Sequence, residues 1–184
     1  MTASGSILPP HGGYAKLASY QKAVLVYDGT VVFCRRFLRK GDRTTDQMTQ
    51  AARSCKQNIV EASQASGTSK ETEIKLTNVA RASLEELLED YRDFLRTHGG
   101  VPWDKASKEA VFVREEGKKE PADTRFPEIF ETRPETVLAN VMICLVKLTS
   151  YLLDCQIRAL EAAFVKEGGL RERMAQARRK ARGF

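Results

Sequence analysis

Between Thr44 and Gly67 the chain reads TTDQMTQAARSCKQNIVEASQASG, and the spacing within this stretch decides the fold. Met48, Ala52, Cys55, Ile59 and Ala62 recur at intervals of three and four, which places them on one face of an α-helix over about 45–66. Thr44-x-x-Gln47 has the form of a capping box at its start, and Gly67 is placed to supply a left-handed stop. The seam residues are mostly small, so a neighbouring helix can approach closely. That neighbour follows at once. Thr68-x-x-Glu71 opens a helix over about 69–97, whose face is Leu76, Ala80, Leu84, Leu87, Tyr91 and Phe94, with Leu88 and Leu95 alongside. Gly99, Gly100 and Pro102 end it.

Towards the N-terminus, Leu17, Tyr20, Val24, Tyr27, Val31, Cys34 and Leu38 form a heptad seam on a helix over about 14–40, ended by Gly41. Towards the C-terminus, residues 98–133 are rich in charge and hold three of the six prolines, which is the chemistry of a loop. Trp103, Val111, Phe112, Val113, Phe126, Ile129 and Phe130 distinguish it from a plain linker, and a loop of this length is expected to cap an end or side of the domain. A fourth helix then runs from Pro134 to about Lys166. Between 137 and 153 it is apolar nearly all round, which favours a homo-oligomer unless the 98–133 segment covers the extra face. Gly168 and Gly169 break the pattern before a short basic helix or tail. No convincing strand alternation occurs. The expected fold is all-α: a flexible segment 1–13, an antiparallel up-down four-helix bundle 14–167 and a basic tail 168–184.

The 184 residues carry a net charge of +6, unevenly distributed. Residues 34–56 hold +5 and residues 166–184 hold another +5, so the rest of the chain is net acidic. Two basic clusters on such a body point to an anionic partner, most often nucleic acid. There are only two histidines, His11 and His98, and no Glu-x-x-His pair, so a carboxylate-bridged metal site has no ligand set. Cys34, Cys55, Cys144 and Cys155 form no Cys-x-x-Cys pair and fall within apolar helical patterns, which fits reduced, buried thiols in a cytoplasmic protein. Residues 1–13 lack the form of a secretory signal. The apolar stretch 137–153, interrupted by Asn140 and Lys147, reads as too short and too polar to span a bilayer. Neither a catalytic residue, a metal ligand nor a cofactor site is assigned.

The second and third helices also carry a signature. Gln47-x-x-Gln50-Ala51-Ala52-Arg53-Ser54 leads to Gln57-Asn58-Ile59-Val60-Glu61, then Ser69-Lys70-x-Thr72-Glu73 and Asn78-Val79-Ala80-Arg81-Ala82-Ser83-Leu84-Glu85-Glu86-Leu87. With Tyr20-Gln21-Lys22-Ala23 in the first helix, this resembles the four-helix-bundle proteins encoded in 23S rRNA intervening sequences and the accessory proteins of diversity-generating retroelements. The long insert and basic extension resemble the branch called the four helix bundle suffix domain. Where the family often reads Asn-Ile-Ala-Glu-Gly, this chain has Asn58-Ile59-Val60-Glu61-Ala62, which sets it on a side branch. The resemblance implies a homopentameric ring without a catalytic site, and a nucleic acid and a reverse transcriptase as partners.

Two candidate sites follow. Arg35, Arg36, Arg39, Lys40 and Arg43 crowd the end of the first helix and its turn, with Arg53 and Lys56 on the second helix. Arg171, Arg173, Arg178, Arg179, Lys180 and Arg182 form a second set in the tail. Both suit RNA or DNA backbone, whose phosphates need cations but no sequence code. Asn58, Glu61, Arg81 and Glu85 form the other candidate, a polar layer between the second and third helices that fixes their register. The expected function is a non-catalytic nucleic-acid-binding accessory protein. The alternative is a protein–protein adaptor whose basic clusters meet an acidic partner.

Overall fold

The computed structural model describes residues 12–120 and 123–182, apart from the side chains of Glu167, Arg171, Arg173, Gln176 and Lys180. After a single 3-10 turn at Tyr14–Lys16, the described residues form seven α-helices and no strand. They are α1 (Ala18–Phe37), α2 (Arg43–Ala65), α3 (Lys70–Thr97), α4 (Lys108–Glu116), α5 (Phe126–Thr132), α6 (Glu135–Glu167) and α7 (Leu170–Ala181). The protein is all-α.

The starts of α2 and α3 each differ from the capping boxes expected for them. Asp42 caps α2, its carboxylate accepting the Thr44 amide at 2.9 Å. Ser69 caps α3 by accepting the Thr72 amide at 3.1 Å. Gly67 does not adopt a left-handed conformation; the last turn of α2 closes instead through the Thr68 and Ser69 amides, both 2.9 Å from the Ala65 carbonyl.

The four long helices pack in a cycle, α1 on α2, α2 on α3, α3 on α6 and α6 on α1. The α2 seam is fully enclosed, with Met48, Ala52, Cys55, Ile59 and Ala62 at zero exposure. In α3, Leu84, Leu87, Tyr91 and Leu95 meet it from the other side of the core. Helix α1 is rotated from its heptad reading. Val31 is exposed, and Leu17, Tyr20, Val24, Tyr27 and Leu38 are half-buried, while Ala23, Val26, Gly29, Thr30 and Phe33 face the interior. Close approach explains the choice: a Cβ on Gly29 would lie 2.6 Å from the Met142 sulfur and 2.9 Å from the Phe130 ring. Glycine there sacrifices helix propensity for close packing.

Residues 98–133 are not a loop but carry two short helices. Helix α4 packs on α6 and α5 packs on α1. The Asn140 side chain fastens the start of this segment, accepting the Trp103 amide at 2.8 Å and donating to the Val101 carbonyl at 3.1 Å. The breadth of apolar surface on α6 is therefore met largely within the chain, and by itself requires no second copy. Helix α6 is long and apolar enough to cross a membrane by length and composition, contrary to the expectation from 137–153, but most of its apolar window is buried inside the fold.

Glu116 pins the connection that follows α4. Its side chain is only 3% exposed, accepting the Arg125 amide at 2.6 Å and pairing with Lys119 at 2.7 Å. From α1, the buried Lys22 ammonium donates to the Lys119 carbonyl at 3.0 Å. Glu116→Ala removes the charged acceptor of the Arg125 amide, a loss of about 1.5–3 kcal/mol, the range for hydrogen bonds to charged groups. Faster tryptic cleavage at Lys118 and Lys119 is expected; an unchanged digestion rate would show that Glu116 does not hold the connection. The Lys119 ammonium, aided by the Arg125 amide, holds the Glu116 carboxyl below its ordinary range. Its contribution is thus complete above the ordinary carboxylate range and disappears as pH falls through the depressed value, so the gap between wild type and variant narrows in acid.

Candidate nucleic-acid interface

The corner between α1 and α2 concentrates positive charge because of how the chain turns. Arg35 and Arg36 occupy the last turn of α1, where cations oppose the helix dipole. Leu38 is extended, and Gly41 reverses the chain at φ +86°, a conformation open to glycine without strain. Asp42, the only acid between residues 35 and 45, is committed to the cap, and the hydrogen bonds from Thr44 hold its carboxyl below the ordinary range. Arg39, Lys40 and Arg43 are exposed on this turn, and none forms an ion pair among the described residues.

The other four cations of the cluster divide. Arg35 pairs with Glu131, and Arg36 donates to the Phe130 carbonyl while its guanidinium lies 4.5 Å from the Phe37 ring centre. These two tie α1 to α5 rather than stand free. Lys56 sits over the Tyr27 ring at 4.1 Å, a cation–π contact between α2 and α1. Arg53 is exposed on α2. A feature missed in reading the charge alone lies on the same helix. Arg43, Gln50, Gln57 and Gln64 recur every seven residues and all four are exposed, so a row of amides extends the cationic corner along α2. The repeat was available in the spacing of the glutamines.

The second cluster is remote from the first. Gly168, at φ +69°, ends α6, and Glu172 caps the start of α7 by accepting the Gly169 amide at 2.9 Å. Gly169 lies beside Glu71 in the first turn of α3. Helix α7 thus begins at the end of the molecule opposite the α1–α2 corner, with the 23 residues of α2 between them, a span of about 34 Å at 1.5 Å per residue. Arg178, Arg179 and Arg182 are exposed; the side chains of Arg171, Arg173 and Lys180 lie outside the described residues. The start of the second cluster is thus about the length of α2 away from the first.

The expected polar layer is not assembled. Glu61 and Glu85 are exposed, and Arg81 turns to α6, bonding Asp154 at 2.8 Å and Asn78 at 2.7 Å. What joins α2 to α3 is a smaller chain of hydroxyls. Asn58 donates to Ser54 at 3.2 Å, and Ser54 and Ser83 share a hydrogen bond at 2.9 Å. Ser83 donates to the Val79 carbonyl at 3.1 Å, which leaves Ser54 as the donor between the two serines.

Cys34 and Cys55 are buried, and burial pushes their thiols up to about 11 and about 12. Cys144 and Cys155 are half-buried. At pH 8 a thiol reagent is expected to modify Cys155 first and Cys144 more slowly, since burial raises the Cys144 thiol as well, and to reach the other two only on unfolding, because the thiolate is the reactive form. Four equally fast thiols would contradict the packing of α1 and α2. His98 stacks on Phe94 at 3.9 Å at the end of α3, and His11 lies outside the described residues. Among the described residues, no three His, Cys, Asp or Glu side chains form a metal-binding group.

Compared with protein-family models, with curated proteins and with solved structures, the chain finds no match in any of the three.

Proposed function

We propose that this protein is a non-catalytic accessory factor that binds the backbone of RNA or DNA through the α1–α2 corner, and that its four long helices form an antiparallel up-down bundle. The cyclic packing of those helices supports the bundle. The observation carrying the function is that Arg39, Lys40 and Arg43 crowd one turn, exposed and without an ion pair among the described residues, while Asp42, the acid within that turn, is occupied as a cap. Side chains that merely neutralise a helix end or fill a salt bridge would be engaged, as Arg35 is. Free cations beside a row of exposed amides suit phosphate and sugar contacts, which position a nucleic acid without reading its sequence.

A ring of identical subunits, with a reverse transcriptase as protein partner, follows from the family resemblance. Such a ring would repeat the corner and multiply weak contacts through effective concentration. Light scattering that returned only a 20.6 kDa species would exclude it. Binding itself is tested by fluorescence anisotropy with labelled RNA and DNA across a salt series. The logarithm of affinity should fall linearly with the logarithm of salt, with a slope of about −0.9 per phosphate neutralised on duplex and about −0.7 on single strands. Absence of binding to any nucleic acid, or affinity indifferent to salt, would refute the proposal.

A further inference from the structure

Helix α4 lies along α6 without closing on it everywhere, and a cavity of about 500 Å³ opens between them. Small-molecule sites commonly enclose about 300–1,000 Å³. Along α6 the cavity is lined by Ile143, Cys144, Leu148 and Tyr151, and Trp103 adds an indole from the segment before α4. The packing of α4 leaves this surface incompletely covered: Cys144 and Leu148 are half-buried and Tyr151 is 61% exposed. An apolar body seated there would finish the burial that α4 begins.

The surrounding side chains are cationic. Lys105, Arg114, Lys118 and Lys147 line the same cavity, against one carboxylate, Glu115, which pairs with Lys118 at 2.7 Å. Arg114 is held in place by donating to the Lys105 carbonyl at 2.8 Å. Lys147 is exposed and forms no ion pair among the described residues. The fields of both reach the lining: burial raises the Cys144 thiol, and Lys147 and then Arg114 oppose the rise. Apolar walls under a net positive rim select against neutral and cationic occupants.

We propose that this α4–α6 cavity binds an amphipathic small-molecule anion, a medium-length acyl or alkyl body ending in a carboxylate or phosphate. Lys147 and Arg114 receive the anionic head, and the apolar body lies against Leu148, Ile143 and Trp103. This site is separate from the α1–α2 corner and independent of nucleic-acid binding.

Trp103 is the only tryptophan in the chain and lines this cavity, so its fluorescence responds to occupancy; because it also borders the neighbouring groove at Phe112 and Val137, the Lys147→Glu variant below assigns the signal to this cavity. The full-length protein is titrated with decanoate, decyl phosphate, decanol and decyltrimethylammonium, each below its micellar concentration, with calorimetry in parallel. One or both anions should give saturable one-to-one binding, at least about tenfold tighter than decanol and the cation, a factor worth about 1.4 kcal/mol. The tighter of decanoate and decyl phosphate identifies the head group. Lys147→Glu should weaken the anions at least about tenfold with an unchanged melting temperature, as befits an exposed side chain. Arg114→Gln provides a second variant that removes charge without reversing it and should weaken them in the same sense. Equal affinity for charged and neutral heads, no saturable signal with either anion, or full affinity in Lys147→Glu would overturn the proposal.

Discussion

Replacing Tyr91 with alanine is expected to cost about 3–5 kcal/mol, the range for truncating a large buried aromatic. Tyr91 is fully enclosed, with its ring edge-on to Phe33 at 5.0 Å; Phe33 in turn meets Phe94 at 4.8 Å and Phe37 at 5.4 Å. Its hydroxyl donates to Thr30 at 3.0 Å, and Thr30 donates to the Val26 carbonyl at 2.7 Å. Burial pushes the ionisation of that hydroxyl well above its ordinary value, so it acts as a neutral donor. Tyr91→Phe keeps the ring and loses only the hydrogen bond, so about 0.5–1.5 kcal/mol is expected. Urea unfolding of both variants separates ring from hydroxyl. Since domains of this size are stable by about 5–15 kcal/mol, the alanine variant loses a large share of the total. Equal losses in the two variants would assign the effect to the hydroxyl. The aromatic group sits where α1 ends, beneath the turn that presents Arg39 and Lys40, so the corner proposed to bind nucleic acid rests on it.

Different physics made some elements legible in the sequence and hid others. The α2 seam was readable because all five of its apolar residues point inward. In α1 the interior includes Lys22, Gly29 and Thr30, which an apolar pattern passes over, and the heptad therefore indicated a neighbouring face. Helices α4 and α5 are nine and seven residues long, too short to announce themselves, and helices of that size depend on tertiary contact. The caps were displaced by one or two residues because Asp42, Thr44, Thr68 and Ser69 are all competent capping types, and only geometry chooses among them. The same limit applied to the candidate site. Arg39, Lys40 and Arg43 stand exposed at the expected turn, whereas Arg35 and Arg36 are engaged by a helix that the charge pattern did not reveal. Glu61 and Glu85 lie on α2 and α3 as expected but face outward, since the core between those helices is filled by apolar side chains and the serine pair.

Reversing Arg39, Lys40 and Arg43 together to glutamate should reduce nucleic-acid affinity by at least about tenfold at moderate salt, with a slope on duplex flatter by up to about 2.7, or about 0.9 for each phosphate no longer neutralised. The fold should survive, for physical reasons specific to each position. All three side chains are exposed, and none has an ion pair to break among the described residues. Arg43 is the first residue of α2, where a carboxylate is more compatible with the helix dipole than a guanidinium. The matched control is Arg178→Glu, Arg179→Glu and Arg182→Glu, which makes the same charge change on exposed side chains outside the corner, in α7 and at its end. If affinity depended on net charge alone, the two triple variants would weaken binding equally. If the corner is the binding surface, the first variant weakens it much more than the second. An equal loss would make binding a bulk electrostatic effect, and an unchanged slope in the corner variant would remove Arg39, Lys40 and Arg43 from the interface altogether. Retained nucleic-acid binding in the corner variant, together with loss of an acidic protein partner, would instead favour the adaptor reading, because the same three cations would then be meeting carboxylates rather than phosphates.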